Sequence, residues 1–171
     1  MMTVCKYSEK IKADADQLME TTDIINNLSE FGQINIGGSY KYDLMWNPDI
    51  DIVVVCDNPR QKSVEALRKM VDLRLFQKYE YGDFEKFKRE NRPESFILNL
   101  ILPYGGQKWE IEIWFTTEYP ENQRKIDELI ESRLDDENRT KILEMKKSRS
   151  EKGFDKHSIS SVDIYSQVLV S

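Results

Sequence analysis

Two aspartates separated by one residue, Asp49 and Asp51, open a run of β-branched residues that is typical of a buried strand. Because successive side chains of a strand point to opposite faces, both carboxylates lie on one face while Ile50 and Ile52 lie on the other. Two carboxylates held this close repel each other, and a bound cation relieves the repulsion. Mg²⁺ and Mn²⁺ prefer such oxygen ligands. The pair therefore predicts a divalent metal site on the polar face of this strand.

Nine residues separate a small-residue turn, Gly37-Gly38-Ser39, from the first aspartate. Glycine adopts positive φ readily, which lets successive N–H groups form a concavity that binds anions. The Ser39 hydroxyl is a further donor, and a helix beginning near Ser39 would add the partial positive charge of its N-terminus. Lys41 follows two residues later, either as a phosphate ligand or as a solvated loop lysine. The turn predicts a phosphate-binding segment beside the two aspartates.

A third acidic position lies on a later strand. Glu110 and Glu112 alternate with isoleucines, so both point to one face of the same strand. The strand-like run 96–102 precedes them, and the Gly-Gly link between the two runs indicates a hairpin. This places one more carboxylate strand in the sheet that carries the aspartates, and the residues leave open which glutamate is the ligand.

Taken together, these motifs resemble the DNA polymerase beta-like nucleotidyltransferase superfamily. Its motif is a hydrophobic residue, Gly-Gly or Gly-Ser, a short spacer, and then acid–hydrophobic–acid–hydrophobic. The matching residues are Ile36, Gly38, Ser39, Asp49, Ile50, Asp51 and Ile52. The superfamily's third acid is matched best by Glu112, although Asp is commoner there, and Glu110 is the alternative. The segments 44–51 and 161–165 are similar to small bacterial or minimal members.

The resemblance implies transfer of a nucleoside monophosphate from a nucleoside triphosphate, with ATP the expected donor, to a hydroxyl acceptor that the sequence does not identify. The resemblance implies that Asp49, Asp51 and Glu112 bind Mg²⁺ or Mn²⁺ and are the catalytic residues. It assigns nucleotide binding to Gly37, Gly38, Ser39 and Lys41. The acceptor would be a small molecule or a protein. The alternative is a catalytically inactive module of the same fold that binds a nucleotide or a partner protein, as an antitoxin does.

Length, charge and cysteine content further restrict the class of protein to which the chain can belong. The chain has 171 residues, a length that suits one globular domain. Its net charge of −6 argues against a nucleic-acid acceptor. Cys5 and Cys56 do not form a disulfide framework, and His157 cannot build a histidine metal site alone. No apolar run reaches the length of a membrane span, and the first residues lack a signal peptide. We therefore expect a cytoplasmic protein with no membrane partner.

The elements that position these motifs predict an α+β fold, with a mixed sheet of the nucleotidyltransferase type, helices on one side and C-terminal helices. We expect a single domain over 1–171, with a core of about 7–118 and a helical part of about 119–171. The expected elements of the core are a helix over 7–31 with a break near 20–23, strands over 34–36 and 50–56, a helix from Pro59, a loop or short helix over 80–94 and a hairpin over 95–116.

Apolar spacing predicts the buried faces of the helices. In the helix from Pro59 these are Val64, Leu67, Val71 and Leu75. In the helix after Pro120 they are Ile126, Leu129, Ile130 and Leu134, followed by an interruption at 135–138 and a further helix with Ile142, Leu143 and Met145. In the last helix, 158–169, they are Ile159, Val162, Tyr165 and Leu169. The basic cluster 146–149 is interpreted as a solvated helix end, with phosphate contact as the alternative.

Overall fold

The computed structural model describes residues 2–88, 93–154 and 159–170. Within these residues the chain forms seven helices and five strands. The helices are α1 (Val4–Thr22), α2 (Ile24–Ser29), α3 (Gly38–Lys41), α4 (Pro59–Leu73), α5 (Glu121–Arg133), α6 (Asp136–Glu151) and α7 (Ser161–Leu169). The strands are β1 (Gln33–Gly37), β2 (Asp49–Val55), β3 (Lys78–Asp83), β4 (Phe96–Tyr104) and β5 (Gln107–Thr116).

The five strands form one sheet in the order β1-β2-β5-β4-β3. β2 and β5 run parallel, and every other neighbouring pair is antiparallel. Because parallel neighbours need a crossover, the chain leaves the sheet after β2 through α4 and adds β3 and β4 before β5 pairs with β2. This mixed sheet confirms the predicted α+β class. The tight β4–β5 link, with Gly105 and Gly106 both at positive φ, confirms the hairpin.

The main core lies on the sheet face opposite the predicted carboxylates. Ile50 and Ile52 of β2 and Ile111 and Ile113 of β5 have no exposed surface, and helices α1, α2 and α4 pack against them. Fully burying one such side chain contributes about 1.5–3 kcal/mol. A slip of one residue in β2 would move Asp49 and Asp51 into this core. Burial of the isoleucines therefore fixes the register in which both aspartates lie on the polar face.

The first helix ends where the sequence predicted a break. Asp23 adopts a left-handed conformation with φ 49° and separates α1 from α2. Its backbone N–H bonds the carbonyl of Glu20, which satisfies one of the last carbonyls of α1. The predicted span 7–31 is therefore two helices, and α2 leads directly into β1.

The segment 80–94, predicted as a loop or short helix, contains most of a strand, so that prediction is wrong over 80–83. β3 pairs antiparallel with β4 at the edge of the sheet and begins at Lys78. Its alternation of charged residues with Tyr79 and Tyr81 is a strand pattern with little apolar content, which an edge strand tolerates because it has one neighbour. Residues 89–92 lie outside the described part of the chain.

Helix α4 presents a different face to the core from the one predicted. Val64 and Val71 are 43% and 46% exposed, whereas Leu67 packs partly buried against the core. Leu75, which is 45% exposed, lies beyond the end of the helix at Leu73. The fully buried residues of the helix are Ser63, Ala66 and Met70. The side chains on this face are small, as in Ser63 and Ala66, or flexible, as in Met70, which suits close packing against the sheet.

The C-terminal helices form a second core together with Leu44 of the loop before β2. Its buried members are Leu44, Ile130, Ile142, Ile164, Tyr165 and Leu169, with the other predicted residues of α5 packed against them. Asp135 caps α6 by accepting from the Asn138 N–H. The predicted interruption is confirmed, but it lies at 134–135, because residues 136–138 already belong to α6. In α7 the predicted Tyr165 and Leu169 are buried, but Val162 is 40% exposed, and Ile159 lies before the helix and is 37% exposed. His157 and the predicted start of this helix lie outside the described residues.

Among the described residues, no helix is long and apolar enough to cross a membrane.

Candidate active site

Four acidic side chains line the polar face of two adjacent parallel strands. In the register of β2 and β5, Asp49 is paired with Glu110 and Asp51 with Glu112. Neighbouring strands lie about 4.8 Å apart, so each aspartate is next to a glutamate on the same face. All four are partly buried. The structure therefore brings together the acids that the sequence placed on two separate strands.

The small-residue turn lies directly against one of these acids. Gly38 has φ 63°, and a Cβ at this position would lie 2.0 Å from Asp51 Oδ2. Only glycine fits, both because of the left-handed backbone and because the carboxylate occupies the space of a side chain. Gly37 differs, since a Cβ there would have no atom within 4 Å. This turn and Asp51 form one continuous surface, as the spacing in the sequence predicted.

The turn continues into α3, a single helical turn, which is fixed by hydrogen bonds to α1 and to the loop that follows it. Ser39 is 8% exposed, and its carbonyl accepts a 2.9 Å hydrogen bond from the Leu44 N–H. Tyr40 donates to Asp16 of α1, whose carboxylate also pairs with Lys12. Burial opposes the ionised form of Asp16, but these two hydrogen bonds outweigh it together and lower the pKa of Asp16. The backbone of the turn is therefore fixed relative to both α1 and the loop that follows.

The acids do not form a ready-made metal cluster. Across residues 2–88, 93–154 and 159–170, no three acidic, cysteine or histidine side chains converge closely enough to hold an ion. Glu112 accepts a 2.8 Å hydrogen bond from Trp114 Nε1, and Glu110 accepts one of 2.6 Å from Asn99. The carboxylate donor set still fits Mg²⁺ or Mn²⁺. The oxygen donors on this face are the two aspartates of β2 and the two glutamates of β5.

Lys41 pairs with acidic residues of α5 and not with the acids of β2 and β5. Its ammonium lies 3.1 Å from Glu131 and 3.5 Å from Asp127, both on α5, and sits over the ring of Tyr42. The Tyr42 hydroxyl donates to Glu131, and burial together with these two acids raises its pKa. Lys41 thus links the end of α3 to the C-terminal helices in this structure. Its role as a phosphate ligand stays a prediction.

Two tryptophans near the acidic face have different environments. Trp46 packs against Tyr7 of α1, with ring centroids 4.4 Å apart. Trp114 lies on the same face of β5 as Glu112 and donates to it, with Phe84 6.4 Å away. Trp114 therefore belongs to the polar face of the sheet, whereas Trp46 joins the loop before β2 to α1.

Lys146 is a residue of the site that sequence reasoning placed wrongly. The solvated-end interpretation of 146–149 is incorrect, because α6 continues to Glu151 and Lys146 and Arg149 are 2% and 5% exposed. Lys146 Nζ donates to the carbonyl of Leu44 at 2.7 Å and to the Tyr165 hydroxyl at 2.9 Å. A signal was present in the sequence, because Lys146 lies one turn after Ile142 on the buried face.

The buried ammonium of Lys146 is electrostatically coupled to both aspartates. Burial lowers the pKa of Lys146 to about 7, while Asp49 and Asp51 oppose that fall and Arg149 adds to it. The Lys146 charge thus compensates part of the negative charge on β2. The Lys146 side chain also joins the loop before β2 to α6 and α7 through its two hydrogen bonds. The second core is thereby connected to the loop that leads into Asp49.

Comparison with solved structures shows that this fold is that of a nucleotidyltransferase. One similar structure is the polymerase core of TRAMP, an RNA surveillance complex, with a TM-score of 0.60 over 88% of this chain. The two sequences are 19% identical, and the chain spans 46% of the length of that polymerase chain. No family model matches the sequence, and no curated protein matches it. At this identity the likeness establishes the fold alone.

Proposed function

We propose that the protein is a metal-dependent nucleotidyltransferase of the small bacterial or minimal type. The observation that supports this most directly is the contact between the turn and the acids: a Cβ on Gly38 would meet Asp51 Oδ2 at 2.0 Å, and Asp51 is in register with Glu112. A phosphate bound at the turn would therefore lie beside carboxylates that can hold a cation. ATP is the expected nucleoside triphosphate.

The residues have distinct roles in this proposal. Asp49, Asp51 and Glu112 would hold Mg²⁺ or Mn²⁺, which when bound neutralises phosphate charge and activates the attacking oxygen. The N–H groups of Gly37 and Gly38 and the Ser39 hydroxyl bind the terminal phosphates. Fixing the phosphate next to the acids supplies the positioning on which phosphoryl-type transfer depends.

The acceptor in this proposal is a hydroxyl of a small molecule or a protein. The net charge of −6 and the four acids on the open face disfavour a polyanionic acceptor such as RNA. The similar polymerase core belongs to an RNA surveillance complex. Since the chain spans less than half of that polymerase chain, the acceptor is the feature on which we expect the two to differ.

The first test measures metal and nucleotide binding by thermal unfolding. A cation at one hundred times its Kd stabilises the fold by about 2.7 kcal/mol, which corresponds to a rise in Tm of about 5–10 °C for a chain of this size. We expect Mg²⁺ with ATP to produce this shift in wild type and Asp49→Asn to remove it. Asp57→Asn, which changes an exposed aspartate just after β2, is the matched control and keeps the shift.

The same proteins then distinguish an enzyme from a binding module. Wild type with labelled ATP, Mg²⁺ and a cell extract should label a small molecule or a protein and release pyrophosphate, and Asp51→Asn should label nothing. Tight ATP binding without transfer to any acceptor would contradict the enzyme and favour the inactive module. Equal cation shifts in wild type and Asp49→Asn would show that these acids are not the metal ligands.

A second prediction concerns the two glutamates of β5. We expect Glu112→Gln to weaken Mn²⁺ binding by at least the loss that follows removal of an outer-shell partner, about 10- to 100-fold. Glu110→Gln should change the affinity little, as measured by electron paramagnetic resonance titration. Both changes keep the side-chain size, so packing is not a confounder. A larger loss of Mn²⁺ affinity in Glu110→Gln would mean that Glu110, and not Glu112, is the third ligand.

A further inference from the structure

The backbone of the sheet does not by itself distinguish the two glutamates of β5. Glu110 is paired with Asp49 and Glu112 with Asp51, so each lies next to an aspartate of β2 on the same face. Either could supply the third carboxylate of the metal site proposed above. What differs is the donor that each carboxylate accepts from, and the strand on which that donor lies.

Glu110 is drawn away from β2 by a residue of β4. Asn99 Nδ2 donates to Glu110 Oε1 at 2.6 Å, and β4 lies on the opposite side of β5 from β2. The bond therefore holds the Glu110 carboxylate on the β4 side of β5. Glu112 accepts from Trp114 Nε1, two residues along the same strand.

The Asn99 amide is itself held from a third strand. Its Nδ2 also donates to Glu80 Oε2 at 3.2 Å, and the other oxygen of Glu80 accepts from Lys78 at 2.6 Å. The lysine lowers the pKa of Glu80, so this acceptor stays ionised at neutral pH. A chain of polar contacts thus runs from Lys78 on β3 to Glu110 on β5.

The orientation of this amide leaves one polar atom unpaired. Asn99 Oδ1 is inaccessible to solvent and has no hydrogen-bond partner within the described residues. A flip of the amide would place this oxygen against two carboxylates, so the NH₂ group has to face them. The fold therefore keeps an unsatisfied acceptor in order to keep the donor on Glu110 and Glu80.

We propose that Asn99 is a positioning residue that holds Glu110 out of the metal site and so leaves Glu112 as the third ligand. The inference rests on the proposed metal site, and it adds the reason why two equivalent carboxylates act differently. It follows that removing the Asn99 donor releases Glu110 to turn back toward Asp49. Glu110 then replaces Glu112 where Glu112 has been neutralised.

The test is a double-mutant cycle read by Mn²⁺ affinity. Glu112→Gln should bind Mn²⁺ weakly, and the double variant Asn99→Val/Glu112→Gln should bind it about tenfold more tightly than Glu112→Gln alone. Valine suits a strand and carries no donor, and Asn99→Ala provides a second variant if Asn99→Val does not fold. The triple variant with Glu110→Gln should lose the recovered affinity, because the recovery comes from that carboxylate.

The matched control is Glu80→Gln/Glu112→Gln, which removes the other acid that Asn99 holds and leaves the contact with Glu110. It should show no recovery. The assignment to Asn99 is wrong, while the metal site stands, if the effects of the Asn99 and Glu112 substitutions on Mn²⁺ affinity are independent of each other. It is also wrong if Glu80→Gln/Glu112→Gln recovers Mn²⁺ binding to the same extent as the Asn99 double variant. A wild type that binds no Mn²⁺ overturns the metal site, and this assignment with it.

Discussion

Gly38→Ala should abolish detectable Mn²⁺ binding and lower stability, with a loss of affinity at least as large as that of removing an outer-shell partner, about 10- to 100-fold. The added Cβ would lie 2.0 Å from Asp51 Oδ2, so the carboxylate has to move out of the position that it shares with Asp49 and Glu112. The left-handed backbone adds about 1–2 kcal/mol of strain for any residue with a Cβ. Isothermal titration with Mn²⁺ and thermal unfolding measure the two effects separately.

The adjacent glycine provides the matched control for this prediction. Gly37 has φ −124°, an ordinary extended conformation, and a Cβ there meets no atom within 4 Å. Gly37→Ala should therefore keep both stability and Mn²⁺ affinity. Equal losses in the two variants would mean that the turn acts through its flexibility and not through the contact with Asp51.

The site could be predicted from the sequence wherever its geometry follows from strand periodicity. Asp49 and Asp51 share a face because strand side chains alternate, and the same argument places Glu110 and Glu112 together. The register that pairs them depends on burial of the alternating isoleucines, which the sequence also shows. Local pattern and tertiary packing agree here, and for that reason the sequence argument succeeds.

Where packing depends on shape, the sequence was a poorer guide. Helix α4 turns Ala66 and Met70 inward in place of Val64 and Val71, because close approach to the sheet favours small or flexible side chains. β3 was missed because an edge strand needs little apolar surface. Neither result follows from counting apolar residues at helical spacing.

Hydrogen bonds between distant residues could not be predicted at all. The contact of Asn99 with Glu110 depends on a diagonal reach between strands, and that of Lys146 with Leu44 spans 102 positions in sequence. A lysine among serines and arginines near a helix end resembles a solvated cluster. The spacing from Ile142 indicates a buried position for Lys146, but only the packing of α6 against the loop before β2 shows the contact with Leu44.

The free energy of unfolding of the metal-free protein should rise between pH 7 and pH 9 by about 2 kcal/mol more in wild type than in Lys146→Met. The folded protein releases the Lys146 proton near pH 7, because burial disfavours the charged form more strongly than Asp49 and Asp51 favour it. The unfolded chain keeps this proton up to about pH 10. The unfolded state therefore binds more protons across this window, and stability increases with pH.

The measurement is thermal or urea unfolding in chelator, since a cation at Asp49 and Asp51 would change the field at Lys146. About 2 kcal/mol corresponds to a difference of about 4–8 °C in the pH-dependent change of Tm. Lys147→Met is the matched control, because its side chain is 43% exposed one residue away and should leave the wild-type pH profile unchanged. Parallel profiles for wild type and Lys146→Met would mean that the buried amine keeps its proton to high pH, and that Lys146 remains a permanent positive charge behind the two aspartates.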